Sequence, residues 1–253
     1  MSAETSAAPH FRLRFVPVLT TVLLGLGLPY VAEELVDLAR HYSRLVPGIA
    51  DQLGHLYAQH GMQTVLALIA IAVMKWLVPA DYGLHLPRDR SYVGPAILWG
   101  LFFGVLMTLI DYAPQLIAHT APKLGYPLDT SHVLGWLGFE GIYVGPTEEI
   151  LFRSLLVTFL AATMPGKLKL GRYSMNGAGV VVAAIFALAH FGSFFDHPWW
   201  MALAQQIYAF ALGVLYAYWL EKSKSVLAPI VGHNVSDVTE YALLFLMVAY
   251  WHG

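Results

Sequence analysis

The sequence has no cysteine, which excludes disulfides, thiolate metal sites and a cysteine nucleophile. It also has little charge: 12% of its 253 residues are charged, against 58% that are hydrophobic. Globular domains carry about 25% charged residues, so the polar surface needed to cover a water-soluble fold is missing. A net charge of −2 offers no basic field to a nucleic-acid partner. No H-E-x-x-H spacing occurs, and with it the common zinc-peptidase pattern is absent. Repeats, low-complexity tracts and linkers are missing too. A single domain over residues 1–253 follows.

What is present is long apolar sequence. Runs with little or no charge cover residues 15–32, about 62–79, 91–110, about 131–164, 175–195, 198–220 and 225–251. Each can cross the roughly 30 Å of bilayer hydrocarbon as a helix, and open strands cannot, because lipid satisfies no backbone amide. The mean hydropathy of +0.60 agrees. The fold class expected is an all-α, multi-pass membrane bundle of seven helices, or eight if residues 111–147 add a half-helix. Residues 33–61 are amphipathic and are expected to lie at the membrane interface. The first run ends at GLPYVAEE without a small-x-small site, so it reads as a retained span rather than a cleaved signal.

Basic residues orient such a bundle. With the N-terminus cytoplasmic, the inner segments hold Arg12, Arg14, Lys75, Arg88, Arg90, Lys167, Lys169, Arg172, Lys222 and Lys224. The outer segments hold only Arg40, Arg44 and Lys123. The expected setting is a prokaryotic inner membrane with the N-terminus inside and the C-terminus outside.

A few ionisable residues interrupt this pattern. A charge at mid-membrane costs about 2.5–3.5 kcal/mol on insertion scales, which makes it a functional candidate. Lys75, Arg12 and Arg14 lie near span ends and can snorkel to the interface. VGPTEEILFRSLL, residues 144–156, is different. Glu149 and Arg153 are spaced i, i+4 and can pair on one helical face, whereas Glu148 points about 100° away and needs another partner. His190 falls late in the fifth run, one turn after Phe186. His233 and Asp237 share a face of the last run, with Glu240 seven residues from His233. Pro229 is placed to kink that helix, and Gly145–Pro146 to break the one before the glutamates. Together these features predict a water-accessible polar chamber between the fourth, fifth and seventh spans.

Carboxylates and imidazoles without a thiol support three chemistries. Glu148 and His190 could activate a water for amide hydrolysis, with a second histidine stabilising the oxyanion. His190, His233 and an acid could hold zinc. The same groups could relay protons in a transporter.

The pattern E-E-x-x-x-R (Glu148, Glu149, Arg153), F-x-x-x-H (Phe186, His190) and H-x-x-x-N/D (His233, Asp237) resembles the CPBP family. These are the CAAX proteases and bacteriocin-processing enzymes, also called the Abi family. The motifs occur in the family's order over roughly residues 90–250, a catalytic core preceded by N-terminal spans in 1–90. The resemblance implies a glutamic intramembrane endopeptidase that needs no cofactor. Glu148 and His190 would activate the water, His233 and Asp237 would form the oxyanion pocket, and Glu149 and Arg153 would brace the helix beside Phe186. Asp237 stands where many members carry asparagine, and a protonated carboxyl can donate in its place. Zinc hydrolysis with the same residues, a transporter and a non-catalytic immunity or scaffold protein are the alternatives. The implied partner is a membrane-bound protein or peptide, recognised at its C-terminal tail: a prenylated tail, a bacteriocin or a sorting tail.

Overall fold

A computed structural model describes residues 11–42 and 52–252 of the chain. The polar leader before Phe11 and Arg44 of the outer basic set lie outside the described residues. The elements run α1 (Phe15–Tyr42), α2 (Gln52–Leu77), α3 (Val93–Asp111), α4 (Ala113–Ala118), α5 (Thr130–Gly138), α6 (Val144–Glu149), α7 (Thr158–Thr163), β1 (Lys167–Leu170), β2 (Tyr173–Asn176), α8 (Gly177–Ala189), α9 (Ser193–Asp196), α10 (Trp199–Ser223) and α11 (Leu227–His252). By length and composition α1, α2, α3, α10 and the α8–α9 segment suit a membrane crossing. α11 and the rod formed by α5–α7 are also long enough, but they carry the ionisable residues. The protein is an all-α, multi-pass membrane bundle with one small hairpin.

Its outer surface is what lipid requires. Trp76 is 83% exposed, Phe15 78%, Ile142 73% and Leu98 70%, an apolar coat that would aggregate in water. The interior is packed around Leu151, Leu155, Leu156, Leu160, Val182 and Phe186. Small residues allow the closest approach. α3 presents Ala96, Gly100 and Gly104 at four-residue spacing to α11, where a Cβ on Gly100 would meet the Gly232 carbonyl at 2.8 Å. A Cβ on Gly104 would overlap the Ser236 carbonyl. Such small-residue seams let backbones meet where lipid supplies no hydrophobic drive.

Two expectations are corrected here. The described parts of residues 33–61 form no separate helix: they complete α1 and begin α2, and His55 Nε2 near the start of α2 meets Glu33 Oε1 on α1 at 2.8 Å. Gly145–Pro146 does not break its helix. α5, α6 and α7 are joined by wider π turns at Phe139–Tyr143 and Ile150–Val157, so the chain stays helical from 130 to 163. Pro146 is accommodated because it falls just after the first π turn, where the regular ladder is already interrupted.

The hairpin follows the rod. Lys167 pairs with Asn176 and Leu170 with Tyr173. Its two-residue turn begins at Gly171, whose φ of 58° is open to glycine without a Cβ clash. Asn176 then caps α8, its side chain accepting from Ala178 N at 2.8 Å.

Candidate active site

The rod's two π turns flank the adjacent glutamates and set where each points. Glu149 is fully buried, and Oε1 accepts from Arg153 Nη1 at 2.9 Å. Arg153, 1% exposed, lies 4.3 Å from the Phe186 ring centroid and 5.2 Å from that of Tyr216. A guanidinium held between two ring faces gains cation–π attraction that an ammonium on a flexible stem does not match. Gly213 leaves it room, since a Cβ there would sit 3.3 Å from Nη2.

The same Glu149 oxygen accepts from His233 Nδ1 at 2.7 Å. A carboxylate only accepts, so Nδ1 carries the proton. The other ring nitrogen, Nε2, lies 3.2 Å from Asp237 Oδ2 and 3.8 Å from Glu148 Oε2. Asp237 Oδ1 also accepts from Ser236 Oγ at 2.8 Å. Tyr216 stacks on the imidazole, with centroids 6.0 Å apart and planes 25° apart. His233 is thus fixed on both edges and one face.

Glu148 is left largely free. Its Oε2 is buried, and no hydrogen-bond donor reaches it. His190 ends α8, and its Nδ1 lies 2.8 Å from the Phe186 carbonyl. The carbonyl can only accept, so Nδ1–H donates and the lone pair of a neutral ring is left on Nε2. Glu148, His190, His233 and Asp237 all face one cavity of about 340 Å³, a volume within the ordinary range for ligand pockets.

The chamber is built from more helices than the fourth, fifth and seventh spans. α2 contributes His60, α3 Asp111, and α10 Tyr208 and Tyr216. Thr147 donates to the Val144 carbonyl at 2.7 Å. His60 Nδ1, 3.0 Å from Thr147 Oγ1, must therefore be the donor in that contact, leaving Nε2 as acceptor. Asn234 Oδ1 accepts from Gly145 N at 2.8 Å and ties α11 to the rod; a Cβ on Gly145 would overlap it. Pro229 does not kink α11. It is the third residue of that helix, in the first turn, where an amide would have no intrahelical partner to lose.

Sequence patterning missed His60, Asn234, Tyr216 and Asp111. Asn234 follows His233 directly, and Asp111 is a lone acid at the end of an apolar run, so both left a signal. His60 was hidden in an amphipathic stretch, and Tyr216 looked like any core aromatic.

Among the described residues, Glu33, Asp37 and His55 place three ligand atoms close enough together for a metal. They lie at the α1–α2 end, and neither His190 nor His233 joins such a grouping.

Residues 130–239 match the family model for Rce1-like type II CAAX prenyl endopeptidases. That stretch is consistent with the CPBP family. It runs from the start of the rod into α11, inside residues 90–250, and contains all three motifs. No curated protein and no solved structure matches the chain. The Rce1-like match, on a multi-pass membrane bundle, supports intramembrane endopeptidase activity.

Proposed function

We propose that the protein is a glutamic intramembrane endopeptidase that cleaves a membrane-associated protein or peptide near its C-terminal tail. The observation that carries this reading is the contrast between two adjacent carboxylates. Glu149 lies outside the cavity with Oε1 shared by Arg153 and His233, while Glu148 lines the cavity and its Oε2 is reached by no donor. A carboxylate oxygen that faces the cavity without a donor is free to accept a hydrogen bond from a water and then take its proton.

In this mechanism Glu148 takes a proton from a water held between it and His190 Nε2, and the water oxygen attacks the scissile carbonyl. The carbonyl oxygen becomes an oxyanion that accepts one hydrogen bond from the single proton shared by His233 Nε2 and Asp237. Glu148 then returns its proton to the amide nitrogen. The C–N bond breaks, giving a carboxylate and an amine. Glu149 and Arg153 hold the His233 ring and take no proton. No metal takes part.

The family description names CAAX prenyl tails, so a prenylated C-terminal peptide is the first substrate to test. The setting we propose is a prokaryotic inner membrane with the N-terminus cytoplasmic. Purified protein in detergent should cleave a farnesylated CAAX-tail peptide, and Glu148→Gln protein of equal thermal stability should not. Equal turnover by the two would overturn the reading.

A further inference from the structure

The cavity continues beyond His233 to a second acidic group that the hydrolytic mechanism does not use. Asp111 closes α3, and Glu240 lies on α11 two turns beyond His233. Asp111 is 5% exposed. Its Oδ2 accepts from the Tyr208 hydroxyl at 2.8 Å, while its Oδ1 is buried with no donor. Glu240 stands within hydrogen-bond reach of Asp111, where one shared proton can join the two carboxyls and leaves one negative charge on the pair. Glu140, 7% exposed, and Asp237 line the same cavity.

A carboxyl pair that shares one proton out of water still keeps one negative charge, which favours a cation beside it. His197 lines the same cavity close enough to Asp111 to act on its charge, but an imidazole is not a fixed cation. No lysine or arginine is among the described residues that line the cavity, and Arg153 is committed to Glu149. The pair also lacks a third ligand close enough to complete a metal site, since the grouping that meets that condition lies at Glu33, Asp37 and His55. An organic cation with two or three N–H donors fits better.

We propose that Asp111 and Glu240 form a specificity subsite for a lysine or arginine side chain of the peptide substrate. The cation donates to Asp111 Oδ1 and to Glu240, while Tyr208 holds the other Asp111 oxygen in place. This rests on the endopeptidase reading. Seven residues of helix separate His233 from Glu240, about 10 Å along the axis. An extended peptide advances about 3.3 Å per residue, so the basic residue lies within about three residues of the scissile bond.

The test uses a fluorescent farnesylated tail peptide with one lysine moved through successive positions, each paired with the same peptide carrying norleucine. Binding is read by anisotropy with the full chain carrying Glu148→Gln, and cleavage with the unsubstituted protein. At one or two adjacent positions lysine should bind about tenfold tighter than norleucine, the size of one charge-assisted contact. That ratio should collapse toward one when Asp111→Asn or Glu240→Gln is added, and Tyr208→Phe should lower it in part should the carboxylate variants fail to fold. A ratio near one at every position, or a ratio that survives both carboxylate substitutions, overturns the subsite. So does stoichiometric zinc binding, measured with the metal alone, that Asp111→Asn removes. Binding preference without cleavage by the unsubstituted protein would sink the endopeptidase reading and leave the subsite standing; cleavage without preference would do the reverse.

Discussion

His233 Nδ1 donates to Glu149 Oε1 across 2.7 Å, although the two residues belong to different helices and lie 84 positions apart. The contact separates the work of the adjacent glutamates. Glu149→Gln should leave Arg153 short of its countercharge in a dry site, at a cost of about 3–5 kcal/mol, and loosen His233. We expect a lower Tm in detergent together with reduced activity. Glu148→Gln should keep the Tm and abolish cleavage. Normal turnover by Glu148→Gln would exclude a glutamate-activated water.

Arg153 is held by shape as well as charge. Arg153→Lys keeps the charge but loses the planar stack between Phe186 and Tyr216. The expected result is a Tm drop nearly as large as that of Arg153→Ala. Thermal unfolding of the two variants side by side checks it, and an unchanged Tm in the lysine variant would show that the stack contributes nothing.

Water activation by carboxylate and imidazole makes no demand on a metal. Exhaustive chelation should leave peptide cleavage nearly unchanged, and elemental analysis should show no zinc in proportion to protein. One zinc per chain, with activity lost on chelation and restored by adding it back, would favour the zinc mechanism.

The oxyanion pocket is tested by its effect on the transition state. His233→Ala and Asp237→Ala should each lower kcat by about 10²–10³ with little change in KM. Asp237→Asn is more informative, because Asp237 Oδ2 lies 3.2 Å from His233 Nε2 and an amide can occupy the same place as donor or acceptor. Activity should survive that change, with a flatter pH profile above neutrality. A folded but inactive Asp237→Asn protein would mean that the charge is required.

Much of this architecture was legible along the chain, because lipid punishes charge. Glu148, Glu149, Arg153, His190, His233 and Asp237 stand out against apolar sequence, and helical spacing alone pairs Glu149 with Arg153 and His233 with Asp237. Spacing also left Glu148 without a partner on its own helix, and it lines the cavity with a bare oxygen. Local pattern says nothing about which helices meet. The contact of His233 with Glu149, the one between His60 and Thr147, and the placing of Asp111 beside Tyr208 exist only once α2, α3, α10 and α11 close around the rod. Backbone irregularity misled for a related reason. Gly145–Pro146 and Pro229 read as breaks, yet a π turn absorbs the first and a helix start the second, and both outcomes depend on where the surrounding helix begins and what packs on it. The Asn234 bond to Gly145 N is of the same kind: it needs two backbones close enough that only glycine fits between them, and the packing of α11 on the rod sets that distance.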